Sequence, residues 1–314
     1  MYDITVIGAA IIDVLAAPVG SEVFRTGSQA MKEIRLSYGG DALNEAIVLS
    51  RLGKHVQLVG TIGNDTAGDQ ILRFLWENDI SSDSICVRDG LATGINIVLV
   101  DAAGERYFLT NPHGSLRHLR LEDILPALPQ AAPIVSFASM FVSPLLDIHA
   151  MTTLFRHIKS SGRTLVCDTT KAKNGETLSD LQCLLPYIDV FLTNESEAAL
   201  LTGEQDPAVN ARLLREAGVK TAVVKCGAAG CIAAEENGLY RIPAVPNIRC
   251  VDSTGAGDAF AGGFLTALSD GLDTADCARF ACATASCAIE QIGASDGVTS
   301  PGLIRQRYEF LKRS

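Results

Sequence analysis

The segment Asp252-Ser-Thr-Gly255-Ala256-Gly257-Asp258-Ala-Phe260-Ala-Gly262-Gly263-Phe264 gathers residue types that can do chemistry. A strand-like run, Ile248 to Val251, leads into a glycine-rich turn, and the pattern predicts a helix from about Asp258. Glycines allow a tight turn and let backbone N–H groups face a ligand. Those groups, together with the helix dipole, make a site for an anion. A carboxylate at that point repels phosphate, so Asp258 makes sense as a proton acceptor beside a phosphate rather than as a ligand of it. The segment is not a phosphate loop of the Walker type, because Gly263-Phe264 follows where Lys-Ser/Thr is required. Nor is it a dinucleotide fingerprint, because Phe260 stands at the third glycine. Taken alone, it would also serve as a glycine-rich turn with an N-capping aspartate.

Three further segments carry polar groups at places where α/β proteins bind ligands. In Gly39-Gly40-Asp41-Ala-Leu-Asn44-Glu45 a glycine pair precedes a helix, and Asn44 in its first turn can point an amide at a polar ligand. The plain alternative is a capped helix with a solvated asparagine. In Thr193-Asn194-Glu195-Ser-Glu197 an amide and two carboxylates follow an apolar strand. The carboxyl end of a strand is the binding edge of an open α/β sheet, although acids also favour any helix's first turn. Val223-Val-Lys225-Cys226-Gly227-Ala-Ala-Gly230 reads as a strand running into a glycine turn, a weak signal by itself.

The elements that must hold these groups alternate. Short apolar runs at 3–8, 55–60, 133–139, 163–168, 188–193 and 220–225 read as buried strands. Helical spacing occupies 42–52, with Asp41 as its cap and Gly53 as its stop, then 147–160, 178–186, 195–202 and 207–217. Asp65 caps a helix through Trp76, and the chain from Asp258 onward is mainly helical. Strand–helix alternation predicts βαβ units in a doubly wound, mostly parallel sheet with helices on both faces. Residues 12–38 and 91–110 break the rhythm. The second reads as a hairpin, Gly94–Val100 and Glu105–Thr110 around a turn at Asp101-Ala-Ala-Gly104. Two such excursions can pair into a small accessory sheet serving as a lid or an oligomer interface.

Composition narrows the function. The 314 residues predict one large or two ordinary domains, and 47% hydrophobic residues are enough for a large core. A net charge of −10 without a Lys/Arg cluster argues against nucleic-acid binding. Nine scattered cysteines form no C-x-x-C pair, and five histidines show no metal-ligand spacing. Reduced buried thiols in a cytoplasmic protein are expected. The start, MYDITVIGAA, has an acid where a secretory signal needs basic residues. The uncharged stretch Ile124–Leu146 contains four prolines, so a loop, a buried strand at Ile134–Ser139 and a second loop are expected, not a membrane span.

In this order, the motifs resemble those of the ribokinase-like (PfkB) family of carbohydrate kinases. The resemblance covers nearly the whole chain. It rests on Gly8-Ala-Ala-Ile-Ile-Asp13, the glycine pair with Asn44, Asn194-x-x-Glu197, Lys225-x-Gly227-x-x-Gly230, and Gly-Ala-Gly-Asp258 with Asp252 before it. It implies one kinase domain over 1–314, with a β-sheet lid from insertions at about 12–38 and 91–110. Asp258 would be the general base for the acceptor hydroxyl, and the amides of Gly255, Ala256 and Gly257 the anion hole for the transferring phosphate. Asp13, Gly39, Gly40 and Asn44 would contact the sugar. Asn194 and Glu197 would order Mg²⁺ and its waters near the phosphates of ATP. Lys225, Gly227 and Gly230 would line the nucleotide groove, with Cys282 near the adenosine. A monovalent cation such as K⁺ would take Asp252 and the Thr254 carbonyl, with backbone around Gly293 and Ser295. The resemblance further implies a homodimer formed through the lid.

Three residues depart from the pattern. Asp41 follows the glycine pair where ribokinase itself carries a lysine nearby, which argues against plain ribose specificity. Cys282 stands where several members place asparagine, and Lys225 replaces a usual threonine. Asn111, at a strand end before Pro112-His113-Gly114, is positioned to reach a ligand when the lid closes. Arg35 and Arg106, on the expected lid strands, could pair with a substrate carboxylate. The expected activity is therefore ATP-dependent phosphorylation of a sugar or sugar acid. The alternatives are a nucleoside kinase of the same fold, with Tyr107 and Phe108 stacking on a base, or an inactive sugar-binding regulator. The intact Asp258 speaks against the last, since a sensor needs no base.

Overall fold

A computed structural model describes residues 1–102 and 105–313. Its strands in chain order are β1 (Ile4–Ile7), β2 (Ile11–Ala17), β3 (Glu33–Gly39), β4 (Val56–Gly63), β5 (Ile80–Arg88), β6 (Ile95–Val100), β7 (Arg106–Thr110), β8 (Ile134–Met140), β9 (Thr164–Thr169), β10 (Val190–Asn194), β11 (Thr221–Lys225), β12 (Cys231–Glu235) and β13 (Gly238–Ile242). Nine form one sheet in the order β13-β12-β11-β10-β9-β8-β1-β4-β5, and β3-β2-β6-β7 form a second, smaller one. From β11 to β5 every neighbour in the large sheet is parallel; only β12 and β13 join antiparallel.

Both faces of the large sheet are covered, which is why its strands read as continuous apolar runs. Alternate residues serve opposite cores. Val6, Leu58 and Val223 pack on one side with Leu43, Ile47 and Phe264. Ile7, Val59 and Val224 pack on the other with Leu154, Phe155 and Phe191. The first side carries helices Asp41–Arg51, Ala256–Ser269 and Thr274–Ala288, the second Ile148–Ser160, Glu195–Thr202 and Pro207–Glu216. Chain order runs from β1 to β4 in one direction and from β8 to β11 in the other, so β1 and β8 flank the switch point where such sheets bind ligands.

The small sheet has two unlike faces, as register shows. Opposed residues share a face. Asp13 lies against Ser37 and Asn96, and Asn96 against Thr110; this row and the arginines 35 and 106 belong to the inner face. Leu36, Val14, Ile97 and Leu109 form a row of the outer face, followed by Ile34, Ala16, Leu99 and Tyr107. Ile34, Leu36, Ile97, Tyr107 and Leu109 are all exposed.

Several local expectations change. Ile248–Val251 is irregular, because the edge strand β13 ends at Ile242 and Pro243 and Pro246 follow. The helix after the glycine-rich turn opens at Ala256 rather than Asp258, with Gly255 in the left-handed region at φ 70° as its cap. Gly40, not Asp41, caps the helix Asp41–Arg51. Pro186 splits the expected helix 178–186 into Leu178–Leu181 and a 3₁₀ turn at Leu185–Tyr187. The first expected loop of the uncharged stretch contains a 3₁₀ segment, Leu125–Gln130, before the strand β8. The hairpin β6–β7 is present, but Ala103 and Gly104 of its expected turn lie outside the described residues. No disulfide forms among the described residues, and no helix there is long and apolar enough to cross a membrane.

Candidate active site

The carboxyl ends of the parallel strands supply the polar groups. Thr169 ends β9, Asn194 ends β10 and Lys225 ends β11; Asn194 and Lys225 are register partners. Lys225 Nζ donates to both oxygens of Asp168 at 2.8 Å, a residue one position before the end of β9. Burial alone would lower the Lys225 pKa, but Asp168 in contact outweighs it and holds the ammonium above its ordinary value. Asn194 and Glu197 form a capping box for their helix: Asn194 Oδ1 accepts from the Glu197 N–H at 2.9 Å, and Glu197 Oε2 accepts from the Asn194 N–H at 3.1 Å. Thr169 Oγ1 also donates to Glu197 Oε2 at 3.0 Å. Both residues are thereby fixed before any ligand arrives.

Opposite these strand ends stand the first turns of two helices. Asn44 Nδ2 donates to Asp258 Oδ2 at 2.7 Å, joining residues 214 positions apart. The Asn44 Oδ1 atom is buried and has no partner in the protein, so an acceptor points into the site. Burial, followed by the charge of Asp41, pushes the Asp258 carboxyl well above the ordinary range. Asp41 is itself raised to about 6 by burial and by Asp168. Gly257, in the first helical turn, faces Lys225: a Cβ there would stand 3.5 Å from Nζ. A helix leaves its first N–H groups without intrahelical partners, so an ammonium and a helix N-terminus converge beside a basic carboxylate. Within the turn, the Ala256 N–H makes a 3.2 Å bond to the Ser253 carbonyl.

The motif glycines have distinct causes. A Cβ on Gly255 would meet the Ala294 carbonyl oxygen at 2.1 Å. On Gly39 it would meet Asp13 Oδ2 at 2.1 Å, and on Gly40, at φ 92°, the Ala9 carbonyl oxygen at 2.5 Å. The glycine pair thus lets Asp13 and the β1–β2 link approach the helix start. Asp13 is oriented by Asn96 Nδ2 at 3.0 Å and is raised in pKa by burial. Gly262 and Gly263 serve packing, against Val48 and Thr284.

A cleft of 860 Å³ extends from this cluster, within the size range of small-molecule and cofactor pockets. Asp41, Asp168, Asn194, Glu197, Lys225 and Asp258 line its polar end. Gly227 and Gly230 line it too, as do the apolar or sulfur-bearing Pro243, Val245, Ile248, Cys282, Ala285 and Ile289. Cys282 is buried with its Sγ 3.8 Å from that of Cys231. Ser139, at φ 60°, also lines the cleft, a strained backbone of the kind found at functional sites.

Not every expected residue joins this cluster. Asn111 is exposed, and its Oδ1 accepts from the His113 N–H at 2.9 Å within a turn. Arg35 and Arg106 do point inward, but protein carboxylates hold them: Arg106 Nη2 lies 2.6 Å from Asp252 Oδ2, and Arg35 Nη1 3.7 Å from Asp296 Oδ2. Asp168, Asn96, Thr169 and Ser139 went unnoticed in the sequence. Asp168 had one available signal, its place at the carboxyl end of an expected strand beside Asn194 and Lys225.

The donor sets test the expected ions differently. Four carboxylates face one ammonium at the polar end, and hard oxygen donors of that kind suit Mg²⁺. Among the described residues no three His, Cys, Asp or Glu side chains group closely enough to hold a metal by themselves. The cluster fits an ion that brings phosphate oxygens and waters with it. The expected K⁺ ligands also converge, since Asp252 Oδ2 accepts from the Gly293 N–H at 2.9 Å and Oδ1 from the Thr254 N–H at 2.9 Å. They do not fit a monovalent cation. Arg106 already neutralises Asp252, and Arg51 Nη1 donates to the Ser295 carbonyl.

A family model described as pfkB family carbohydrate kinase matches residues 1–301. The chain is 27% identical to the ribokinase of Haemophilus influenzae, over 89% of this chain and 89% of that one. It is 28% identical to the 2-dehydro-3-deoxygluconokinase of Escherichia coli, over 85% of this chain and 92% of that one. Its fold is similar to that of Arabidopsis thaliana ribokinase complexed with ribose and ATP, with a TM-score of 0.82 at 22% identity, covering 98% of this chain and 99% of that one.

Proposed function

The chain belongs to the PfkB family of carbohydrate kinases, and from that premise we propose that it transfers the terminal phosphoryl group of ATP to a hydroxyl of a sugar or sugar acid, with Asp258 as general base. The observation that carries this reading is the meeting of Asp258, held by Asn44, with Lys225 and a helix N-terminus at the polar end of the cleft.

Phosphoryl transfer depends on positioning and charge neutralisation more than on a strong nucleophile. Asp258 accepts the proton of the acceptor hydroxyl; burial and Asp41 make its carboxylate more basic than usual, which suits that task. The Asn44 amide fixes its orientation, and the unpartnered Asn44 Oδ1 accepts from a second hydroxyl. Asp13, oriented by Asn96, takes further hydroxyls, while Gly39 and Gly40 keep that wall close. The N–H groups of Gly255 and Gly257 and the Lys225 ammonium face the charge that develops on the transferring group, the largest contribution in reactions of this kind; the Ala256 N–H, expected to join them, is held by the Ser253 carbonyl at 3.2 Å. Lys225, Gly227 and Gly230 cradle the phosphates, and the purine lies toward Cys282 and Ile289. Asn194 and Glu197 would hold Mg²⁺ through water; bound there, the ion offsets phosphate charge.

The small sheet acts as a lid that carries Asp13 on its inner face. Its apolar outer face supports pairing of two copies through Ile34, Leu36, Ile97 and Leu109. The sugar-acid option draws support from the similarity to a 2-dehydro-3-deoxygluconokinase, although Arg35 and Arg106 are engaged elsewhere. A screen of acceptor-dependent ADP formation over sugars, sugar acids and nucleosides tests the proposal. Turnover with a sugar or sugar acid is expected. Turnover with nucleosides alone, or with none of the three classes, contradicts it.

A further inference from the structure

Three arginines from three elements converge on the two segments that follow the cleft. Arg106, at the start of β7, contacts Asp252 Oδ2 at 2.6 Å. Arg51, ending the helix Asp41–Arg51, donates to the Ser295 carbonyl. Arg35, on β3, lies 3.7 Å from Asp296. Asp252 is buried and organises both segments at once, accepting N–H bonds from Thr254 and Gly293. Thr254 immediately precedes Gly255, the cap of the helix whose N-terminus is proposed to face the transferring phosphate. A bare carboxylate at that distance would repel the phosphate and lack a counter-charge in a buried place.

We propose that Arg106 does by a side chain what a monovalent cation was expected to do: it neutralises Asp252 and fixes the Thr254–Gly255 turn, making this kinase independent of K⁺. Arg106 is a positioning residue, acting on the phosphate site through Asp252. The charge is also tethered. Because β7 belongs to the small sheet, the sheet must sit over the cleft for the turn to be held. This inference rests on the kinase reading for its activity arm only.

The experiment compares wild type with Arg106→Gln and Arg106→Lys in chloride salts of tetramethylammonium, sodium and potassium at equal ionic strength. Two quantities are read: the thermal unfolding midpoint, and kcat with the acceptor that the screen identifies. For wild type, midpoint and kcat are the same in all three salts. Arg106→Gln loses about tenfold or more in kcat, the loss usual when a group supporting a charged site is removed. In that variant potassium raises the midpoint saturably and restores part of kcat, and sodium and tetramethylammonium do neither. Arg106→Lys keeps most of the activity. A wild-type midpoint or kcat that rises several-fold more in potassium than in sodium overturns the proposal. So does a glutamine variant with unchanged kcat, or one whose loss potassium neither rescues nor answers with a midpoint shift. The midpoint arm stands even if no acceptor is found, and the wild-type salt comparison stands even if the variant fails to fold.

Discussion

Asp258 is the proposed general base, and its environment sets the pH at which it can act. It works only when ionised, so activity falls as pH drops through its raised pKa, and the acid limb of kcat/KM lies above the usual carboxylate range. Two substitutions move that limb in opposite directions. Asp41→Asn removes a negative charge that pushes Asp258 up, so the limb shifts to lower pH. Asn44→Ala removes a hydrogen bond that lowers Asp258, so the limb shifts to higher pH, and KM for the acceptor rises as well. Limbs that stay put in pH-rate profiles of both variants would show that another group controls the reaction. Asp258, Asn44 and Lys225 were legible in the sequence because glycines and helix starts mark their places locally. Their partners were not. Asp168 meets Lys225 across 57 residues, and Arg106 meets Asp252 only because the small sheet folds back over the turn.

Two helix starts govern how the elements present these groups. Gly255 is the residue that cannot change: its φ of 70° and the Ala294 carbonyl leave no place for a Cβ. Gly257 is helical, and a Cβ there would meet only the flexible end of Lys225. Gly255→Ala should therefore lose about 10²–10³ in kcat, as when an oxyanion donor is removed, and Gly257→Ala much less. Equal losses in steady-state kinetics would argue that the cap does not shape the anion site. Glu45, in the helix Asp41–Arg51, is fully buried; Ser136 donates to its Oε2 at 2.7 Å, and Oε1 has no partner. Burial pushes its pKa well above the ordinary value. A raised folded-state pKa means stability that is complete below the unfolded value, about 4.3, and lost as pH rises toward the folded one. Glu45→Gln should raise the unfolding midpoint above that of wild type near neutral pH, with the difference shrinking toward about pH 4. A variant less stable than wild type at every pH would rule this out. Strand–helix alternation was readable because both faces of the sheet are dry and caps such as Asp65 are local. β5, β12 and β13 escaped notice: β5 and β13 are edge strands and only partly apolar, β12 is a short apolar run without β-branched residues other than Ile232, and Ile248–Val251 has strand-like residues but no neighbour to pair with.

At the scale of the molecule, in the proposed function the large sheet fixes the nucleotide end and the small sheet brings Asp13 and Arg106 over the acceptor end. The doubly wound architecture was legible from alternation, but the small sheet's two faces required register, which depends on pairings between β2, β3, β6 and β7 that no local pattern specifies. Ile34→Glu with Ile97→Glu places charge on its apolar outer face. That pair should convert a dimer into a folded monomer in sedimentation-velocity runs at micromolar concentration; a monomeric wild type would remove the reason for the exposed face. The account as a whole stands on Asp258 as the base of a phosphoryl transfer. The most direct test is kcat of Asp258→Asn with the acceptor that wild type phosphorylates, with folding checked by the unfolding midpoint. The account predicts a folded protein that loses about 10²–10⁴-fold in kcat with little change in KM for ATP. A folded Asp258→Asn enzyme with near-wild-type kcat would contradict it.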